Sequence, residues 1–531
     1  MARPPTIKGG IDLKTTKKNE PHLRSDYDVV IIGGGNGGLT AGCKLAASGI
    51  KPIILEKNNL PGGYASSFIR GRFEFEAALH AMADLGSIEN PGSVRKLFDE
   101  IGVKTDWAFL PDVYHLIIPE DGMDGVLSTG VDEYIEGVNS LVPGYKEELY
   151  RYFALCNEVM EALNYTEAHM DNLNKIYLLK HFPNFVRTIP YTVEEVTEKC
   201  FKFPEEILNI LYAYWGYLGV PTTTLNFTLW AAMLAMFHDK KAYVPKNRSH
   251  DISMSLAERF IELGGRIEYN TPVDKILVSN GAVTGVETSQ GDTIMTKHII
   301  ANLSPHAAYN KLVYPQSEVP EKARQLCNSR EVGISLLSVF LGLDVSYEEL
   351  GITDYEFFIA DTMKRDKRYI FPTKPEVPQR MIVCCLNVAV PEASPPGTCI
   401  LNLSVTYEAG VWDNVKQEEY VSLKQDLADK MIDKAEKVLG ISIRNHIEEI
   451  EIATPMTMAY YAGHTKGAVY GYKTTVWDSL IPRNLCIEEE QYIHNLEFVG
   501  GFSFRGMGYC SSYVSGGIVA DGIVKKLRKK V

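Results

Sequence analysis

The stretch that most limits what this chain can become is YDVVIIGGGNGGLTAGCKLAASGIKPIILEK, residues 27–57. Residues 28–32, an acid followed by four apolar residues, run into a Gly-rich turn, as expected of a strand buried on both faces of a parallel sheet. An alanine-rich helical stretch follows, and residues 51–55 form a second apolar strand ending in an acid. Gly33, Gly35 and Gly38 occupy the three positions of GxGxxG. The first permits a tight turn, the second admits a pyrophosphate to the backbone, and the third lets the helix pack on the strand. The helix N-terminus then offers unpaired N–H groups and a positive dipole end to phosphate. Glu56 lies 18 residues past Gly38, near the roughly 20 expected for a carboxylate that accepts from a ribose hydroxyl. Strand, glycines, helix, second strand and acid in this register predict a βαβ dinucleotide cradle, with Asn36, Gly37 and Lys57 inside it. NAD, NADP and FAD all use such a cradle.

The residues just after the cradle separate these ligands. In NNLPGGYASSFIRGRFEFEAALH, Gly62 and Gly63 open a second close approach of backbone to ligand, and Ser66 and Ser67 lie in a short polar run. Phe73, Phe75, Ala78 and Leu79 then carry the chain back inside. This segment resembles the FAD-dependent phytoene desaturase, carotenoid isomerase and retinol saturase family, in which a GG pair and a polar run precede a GF-F-D-G-H pattern. Gly71, Phe73, Phe75, Glu76 and His80 match it here, with Glu76 where that family usually has Asp. Near the C-terminus, TPMTMAYYAGHTKGAVYGY (454–472) is similar to a second run of the same family. NLEFVGGFSFRGMGYCSSYVSGGIVAD (495–521) then gives an apolar strand, a Gly-rich turn and a helix starting near Cys510.

The resemblance implies an α/β fold: a Rossmann-like FAD-binding domain of the glutathione-reductase and amine-oxidase type, interleaved with a mixed sheet plus helical substrate domain. The expected FAD-binding domain comprises 26–100, 241–309 and 453–531, and the substrate or cap domain 101–240 and 310–452. Leu79 and His80, Val273 through main-chain contacts to adenine, and Gly500, Gly501, Met507 and Gly508 are implied cofactor contacts. At the last four, a second helix N-terminus is aimed at the flavin, where N–H groups and dipole stabilise negative charge on the reduced ring. Gly500-Gly501 stands where the family usually has Gly-Asp, which implies a rearranged ribityl contact.

Between these motifs, residues 131–240 are mostly helical in pattern and read as an inserted cap. Within it, residues 207–237 contain no charged residue over 31 positions. Pro221 and the Thr222–Thr224 run interrupt them, which predicts two helices of about 12–14 residues, each short of the roughly 20 apolar residues that span a bilayer. Such helices either fill a core or line an apolar tunnel or membrane-dipping mouth for a long hydrocarbon substrate. Residues 251–264 read as an amphipathic helix, and turns at Asn280-Gly281 and 290–292 predict a β-meander after it. ISLLSVFLGLDV, RMIVCCLNVAV and CILNLSVTYEA fit a sheet with one apolar face, and residues 420–438 form an amphipathic helix stopped by Gly440.

At 531 residues with 23% charged, the chain suits two soluble globular domains. A net charge of −13 argues against a nucleic-acid partner. Nine scattered cysteines without CxxC spacing suit a reducing, cytoplasmic setting rather than a disulfide framework or zinc site. Residues 1–25 carry cations without an apolar run and read as a disordered leader. The closing VKKLRKKV suits a solvated helix end with favourable dipole charge, the alternative being peripheral contact with anionic lipid.

The twelve histidines lack metal-ligand spacing, and no GxSxG elbow occurs. The chemistry therefore belongs to the cofactor, with the protein supplying binding, orientation and a proton. Arg505, Tyr509, His80 and Glu76 are the candidates for substrate contact and proton transfer, while Cys510 reads as a small buried residue. The expected activity is saturation, desaturation or isomerisation of a carbon–carbon double bond in an apolar lipid. Two alternatives stand beside it: an amine oxidase, and a non-enzymatic prenyl-lipid carrier similar to the Rab GDP-dissociation inhibitors.

Overall fold

The computed structural model describes residues 27–169, 172–369, 371–485 and 491–529. The expected leader (1–25), Cys486 and Lys530 lie outside them. A five-stranded sheet has the order Leu496–Phe498, Ile299–Ala301, Val29–Ile32, Pro52–Leu55, Arg266–Glu268, and every neighbouring pair is parallel. Both faces are covered, which is why its central strands are continuously apolar. Val29, Ile31 and Ile54 pack into one core with the helices Asn36–Ala47 and Tyr509–Arg528, while Val30, Ile32, Ile53 and Leu55 pack into another with the meander. The two helices touch through glycines: a Cβ on Gly516 would lie 2.3 Å from the Gly37 carbonyl oxygen. The meander consists of the antiparallel strands Val273–Ser279, Ala282–Thr288 and Thr293–Met295.

A second, seven-stranded mixed sheet runs Ile447–Ala453, Ser335–Leu343, Cys399–Tyr407, Arg380–Cys385, Glu356–Ala360, Asp112–Ile118, Met123–Ser128. Side chains alternate across it. Leu337, Val339, Leu401 and Leu403 bury against the helix Gln417–Leu439, whereas Phe340 and Phe358 join the core formed with the cap helices. The parallel sheet draws on residues 29–55, 266–301 and 496–498, and the mixed sheet on 112–128 and 335–453, so the chain passes repeatedly between them.

The uncharged stretch departs from the expected pair of long helices. It starts inside the helix Glu205–Tyr212, breaks, continues for one turn as Trp215–Leu218, and ends inside the helix Phe227–Lys240. Side chains from the mixed sheet take up the carbonyls at the break. Tyr114 donates to Ile210 at 2.8 Å, and Arg380 donates to Ala213 at 2.6 Å. The last carbonyls of a helix need such partners, and here the partners come from outside the segment. Asn226 restarts the helix, its side chain accepting from the Thr228 N–H at 3.1 Å.

Candidate active site

A cavity of about 580 Å³ opens at the carboxyl edge of the parallel sheet, where ligands of open α/β sheets bind. Gly33, Gly35, Asn36 and Gly37 line its start. Gly38 is behind them, where a Cβ would meet the Gly33 carbonyl oxygen at 2.1 Å. The turn therefore closes on the helix with no room for a side chain. Glu56, 5% exposed, accepts from the Gly34 N–H at 2.6 Å and the Asn58 N–H at 2.8 Å. Burial pushes its carboxyl above the usual range, opposed by these N–H groups and the Lys57 charge. Lys57 lines the cavity too and donates to the Tyr460 carbonyl at 3.1 Å. Pro272 and Val273 flank Glu56, tied to it by the Thr271 N–H donating to the Glu56 carbonyl at 2.9 Å.

The second glycine pair is fastened to the first. The Gly62 N–H donates to the Gly34 carbonyl at 2.8 Å, and Gly62, Gly63 and Tyr64 continue the wall. Opposite them stand Gly500, Gly501, Met507, Gly508 and Tyr509, the last opening the helix Tyr509–Arg528. Ser66 and Ser67 are not in the wall. Their hydroxyls donate to the Gly63 carbonyl and the Glu74 carboxylate, holding the turn and the hairpin behind it. Asn302 is a wall residue that sequence reasoning missed. Its Nδ2 donates to the Gly33 carbonyl at 3.3 Å, and a Cβ on Gly500 would lie 2.4 Å from its Oδ1. The available signal was its place just past the apolar strand HIIA, at the ligand-bearing edge.

Leu79 and His80 line the cavity; Glu76 does not. The Glu76 carboxylate accepts from the backbone N–H groups of Ala78, Leu79 and Ser249, the last at 2.6 Å. It thus fixes the turn that presents Leu79 and His80. Tyr509 spends its hydroxyl on the Tyr64 carbonyl at 2.6 Å. Arg505 ion-pairs with Glu167, at the end of the cap helix Lys146–Ala168, at 2.5 Å. Burial pushes the Cys510 thiol up to about 12 and keeps it neutral.

His80 is gripped from the opposite sheet. Its Nδ1 lies 2.7 Å from Oε1 of Glu356, a residue 3% exposed, and its carbonyl accepts from the Tyr355 hydroxyl at 2.5 Å. The Tyr217 hydroxyl donates to the other Glu356 oxygen. Burial, then the Glu356 charge, holds the Tyr217 phenol well above its usual range. His80 and Tyr217 both line the cavity, so one buried carboxylate orients two proton-carrying groups on its wall. Glu356 was also missed. It opens the otherwise apolar strand EFFIA, and a lone acid in a buried strand requires such partners.

Beyond this array the wall becomes greasy, with Leu163 from one cap helix and Leu229, Ala232, Met233, Met236 and Phe237 from another. The floor is the mixed sheet, through Leu336, Ile382, Ser404 and Thr406. Among the described residues no three His, Cys, Asp or Glu side chains group to hold a metal.

A dinucleotide fits these residues. The cradle has backbone where any side chain would collide, and the buried Asn36 Oδ1 on its wall has no hydrogen-bond partner within the protein. Comparison with known proteins agrees. Prolycopene isomerase of Daucus carota is 26% identical over 84% of this chain and 72% of its own length. All-trans-retinol 13,14-reductase of Rattus norvegicus is 25% identical over 84% and 77%. Among solved structures, an oxidoreductase from Methanosarcina mazei superposes with a TM-score of 0.60 at 16% identity, covering 93% of this chain and 99% of that one. Putrescine oxidase bound to putrescine gives 0.60 at 14% identity, over 94% and 99%, and both share the fold. The profile of flavin containing amine oxidoreductases matches residues 37–438. The chain belongs to the flavin containing amine oxidoreductase family, and FAD is the group its glycine cradle holds.

Proposed function

We propose that the chain is an FAD-dependent oxidoreductase acting on a carbon–carbon double bond of an apolar polyene lipid. One observation carries this reading: a single cavity joins the dinucleotide cradle, the His80–Glu356–Tyr217 array and the greasy arm under the uncharged cap segment. The names of the two relatives support it, one an isomerase of prolycopene and the other a reductase of all-trans-retinol.

Bound FAD supplies hydride exchange with a substrate carbon. The protein supplies the remainder. The cap side chains hold a hydrocarbon chain and exclude water, which strengthens every polar interaction at the reacting end. Glu356 fixes the His80 ring through Nδ1, leaving Nε2 to give or take the proton at the neighbouring carbon. A positioned group of this kind contributes roughly 10²–10⁴-fold to rate. Glu76 sets the turn that carries His80, and the Arg505–Glu167 pair ties the cofactor loop to the cap.

An insoluble polyene has to be taken from lipid, so peripheral contact with a membrane surface is part of the proposal, as is the reducing, cytoplasmic setting. Among the described residues no helix is long and apolar enough to cross a membrane. The test is anaerobic. Holoprotein reduced with dithionite is mixed with a panel of polyenes and enones, and product masses are read. Mass gained as H₂ identifies a reductase and unchanged mass an isomerase. Oxidised holoprotein that removes H₂ from a dihydro compound identifies a desaturase. Failure with every polyene overturns the reading.

A further inference from the structure

Arg380 opens the strand Arg380–Cys385 with its charge unpaired. Its Nη2 donates to the Ala213 carbonyl at 2.6 Å, its Nη1 reaches the Met363 sulfur at 3.9 Å, and its guanidinium carbon lies 4.6 Å from the Trp215 ring centre. These contacts occupy part of its five N–H donors and none neutralises it. Among the described residues, the groups acting on it through charge are Tyr369, Tyr114 and a second cation, Arg368, with no carboxylate. Burial lowers its pKa to about 10, so it is a full cation at neutral pH. Arg380 is half-buried, and a cation partly withdrawn from water without a counter-charge is costly, such groups being ordinarily paired.

What faces Arg380 is space. A side pocket of about 30 Å³ is lined by Arg380, Trp215 and Met363, and it shares Gly216, Leu336, Ile382, Ser404 and Thr406 with the wall of the main cavity. Roughly 10–15 Å³ holds one water, so the pocket has room for two waters or a carboxylate. Arg380 and Ile382 project from the same face of their strand, and Ile382 is in register with Ser404, as Leu336 is with Thr406. The guanidinium thus sits on the sheet face that floors the main cavity. A Cβ on Gly216 would stand 3.4 Å from its Nη2, so glycine at this position leaves no side chain of residue 216 over the guanidinium.

We propose that Arg380 receives an anionic oxygen end group, a carboxylate, at the far end of the apolar substrate, making that substrate a polyene acid rather than a hydrocarbon. The planar fork of arginine matches a carboxylate in two parallel hydrogen bonds, and the main cavity, which shares its sheet floor with this pocket, accommodates the chain. The inference rests on the polyene reading above. A purely structural Arg380 would only cap the Ala213 carbonyl.

Retinoic acid and methyl retinoate, differing only in the charged end, are titrated into yellow holoprotein and followed by perturbation of the flavin spectrum. The acid is expected to bind roughly ten- to hundred-fold tighter than the ester. Arg380→Gln keeps an amide donor for Ala213 and removes the charge; it should abolish the preference and leave ester affinity within about threefold. Arg380→Lys, which keeps a cation, should retain part of it, a graded result that a capping role does not produce. Equal binding of acid and ester by the natural protein, or a preference that survives in Arg380→Gln, overturns the Arg380 assignment and leaves the polyene reading standing. Binding of neither overturns both.

Discussion

Nδ1 of His80 and Oε1 of Glu356 lie 2.7 Å apart across 276 residues of sequence. His80 comes just after the hairpin strand Phe73–Glu76 beside the cradle, and Glu356 opens the strand Glu356–Ala360 of the mixed sheet. The contact therefore joins the cofactor side of the cavity to its substrate side. Tyr355, next to Glu356, fixes the His80 backbone, and Glu356 itself also holds the Tyr217 hydroxyl.

If Glu356 positions His80, replacing it by Gln removes the charge that selects the ring tautomer and leaves the shape. Glu356→Gln should lower kcat by roughly 10²–10⁴-fold, retain a full complement of FAD and shift the pH profile of kcat. Glu356→Asp should recover part of the rate. An unchanged pH profile in the Gln variant would show that the carboxylate has only a structural role.

The cradle makes a sharper demand. Gly38→Ala places a methyl group 2.1 Å from the Gly33 carbonyl oxygen, a backbone atom that cannot rotate away. The purified variant should be colourless, with a flavin-to-protein ratio near zero by absorbance, and added FAD should not restore it. Glu56→Ala should bind FAD more weakly, because it removes a ribose acceptor and the partner of the Gly34 N–H, and excess cofactor should restore binding in part, because no added atom blocks the cradle. A yellow Gly38→Ala protein would mean that the turn relaxes far more than its packing implies.

This contrast explains what the sequence made legible. Gly33, Gly35, Gly38 and Glu56 answer to one ligand within one short βαβ unit, so their spacing records the geometry directly. Asn302 acts on that unit, and Glu356 on His80 and Tyr217, from distant strands, and their only local trace is a polar residue at the end of an apolar run. The break between Tyr212 and Trp215 was illegible for the same reason, since the Tyr114 and Arg380 side chains that cap it belong to the mixed sheet. Ser66 and Ser67 read as ligand contacts because they come soon after a glycine pair, yet their hydroxyls are consumed within the turn and hairpin.

The greasy arm can be blocked without touching the cradle. Ala232 is 8% exposed and lines the cavity from the helix Phe227–Lys240. Ala232→Phe adds a ring where the polyene chain would lie. The variant should raise KM for polyene by about tenfold or more, since extra volume in a filled site costs roughly 1–3 kcal/mol, while its flavin content and spectrum stay those of the natural protein. Unaltered polyene kinetics would place the substrate elsewhere.

The cap core also sets a pH limit on stability. His238 is 3% exposed, with the rings of Tyr134 and Phe153 at 4.7 and 5.1 Å. Burial lowers its pKa from 6.5 to about 3, so the native imidazole stays neutral where the unfolded one gains a proton. The unfolded state binds more protons over that interval, and stability therefore rises with pH across it. The contribution of His238 is complete above pH 6.5 and is lost as pH falls toward 3, with a slope approaching about 1.4 kcal/mol per pH unit. Buried Glu76, whose carboxyl burial pushes up, contributes with the opposite sign, so the histidine has to be isolated by difference. His238→Phe keeps an aromatic ring and removes the titration. In urea unfolding at pH 7 and pH 5, the stability of the natural protein relative to this variant should fall by about 2 kcal/mol on acidification. A difference that stays flat between the two pH values would mean that the imidazole takes up its proton in the folded cap.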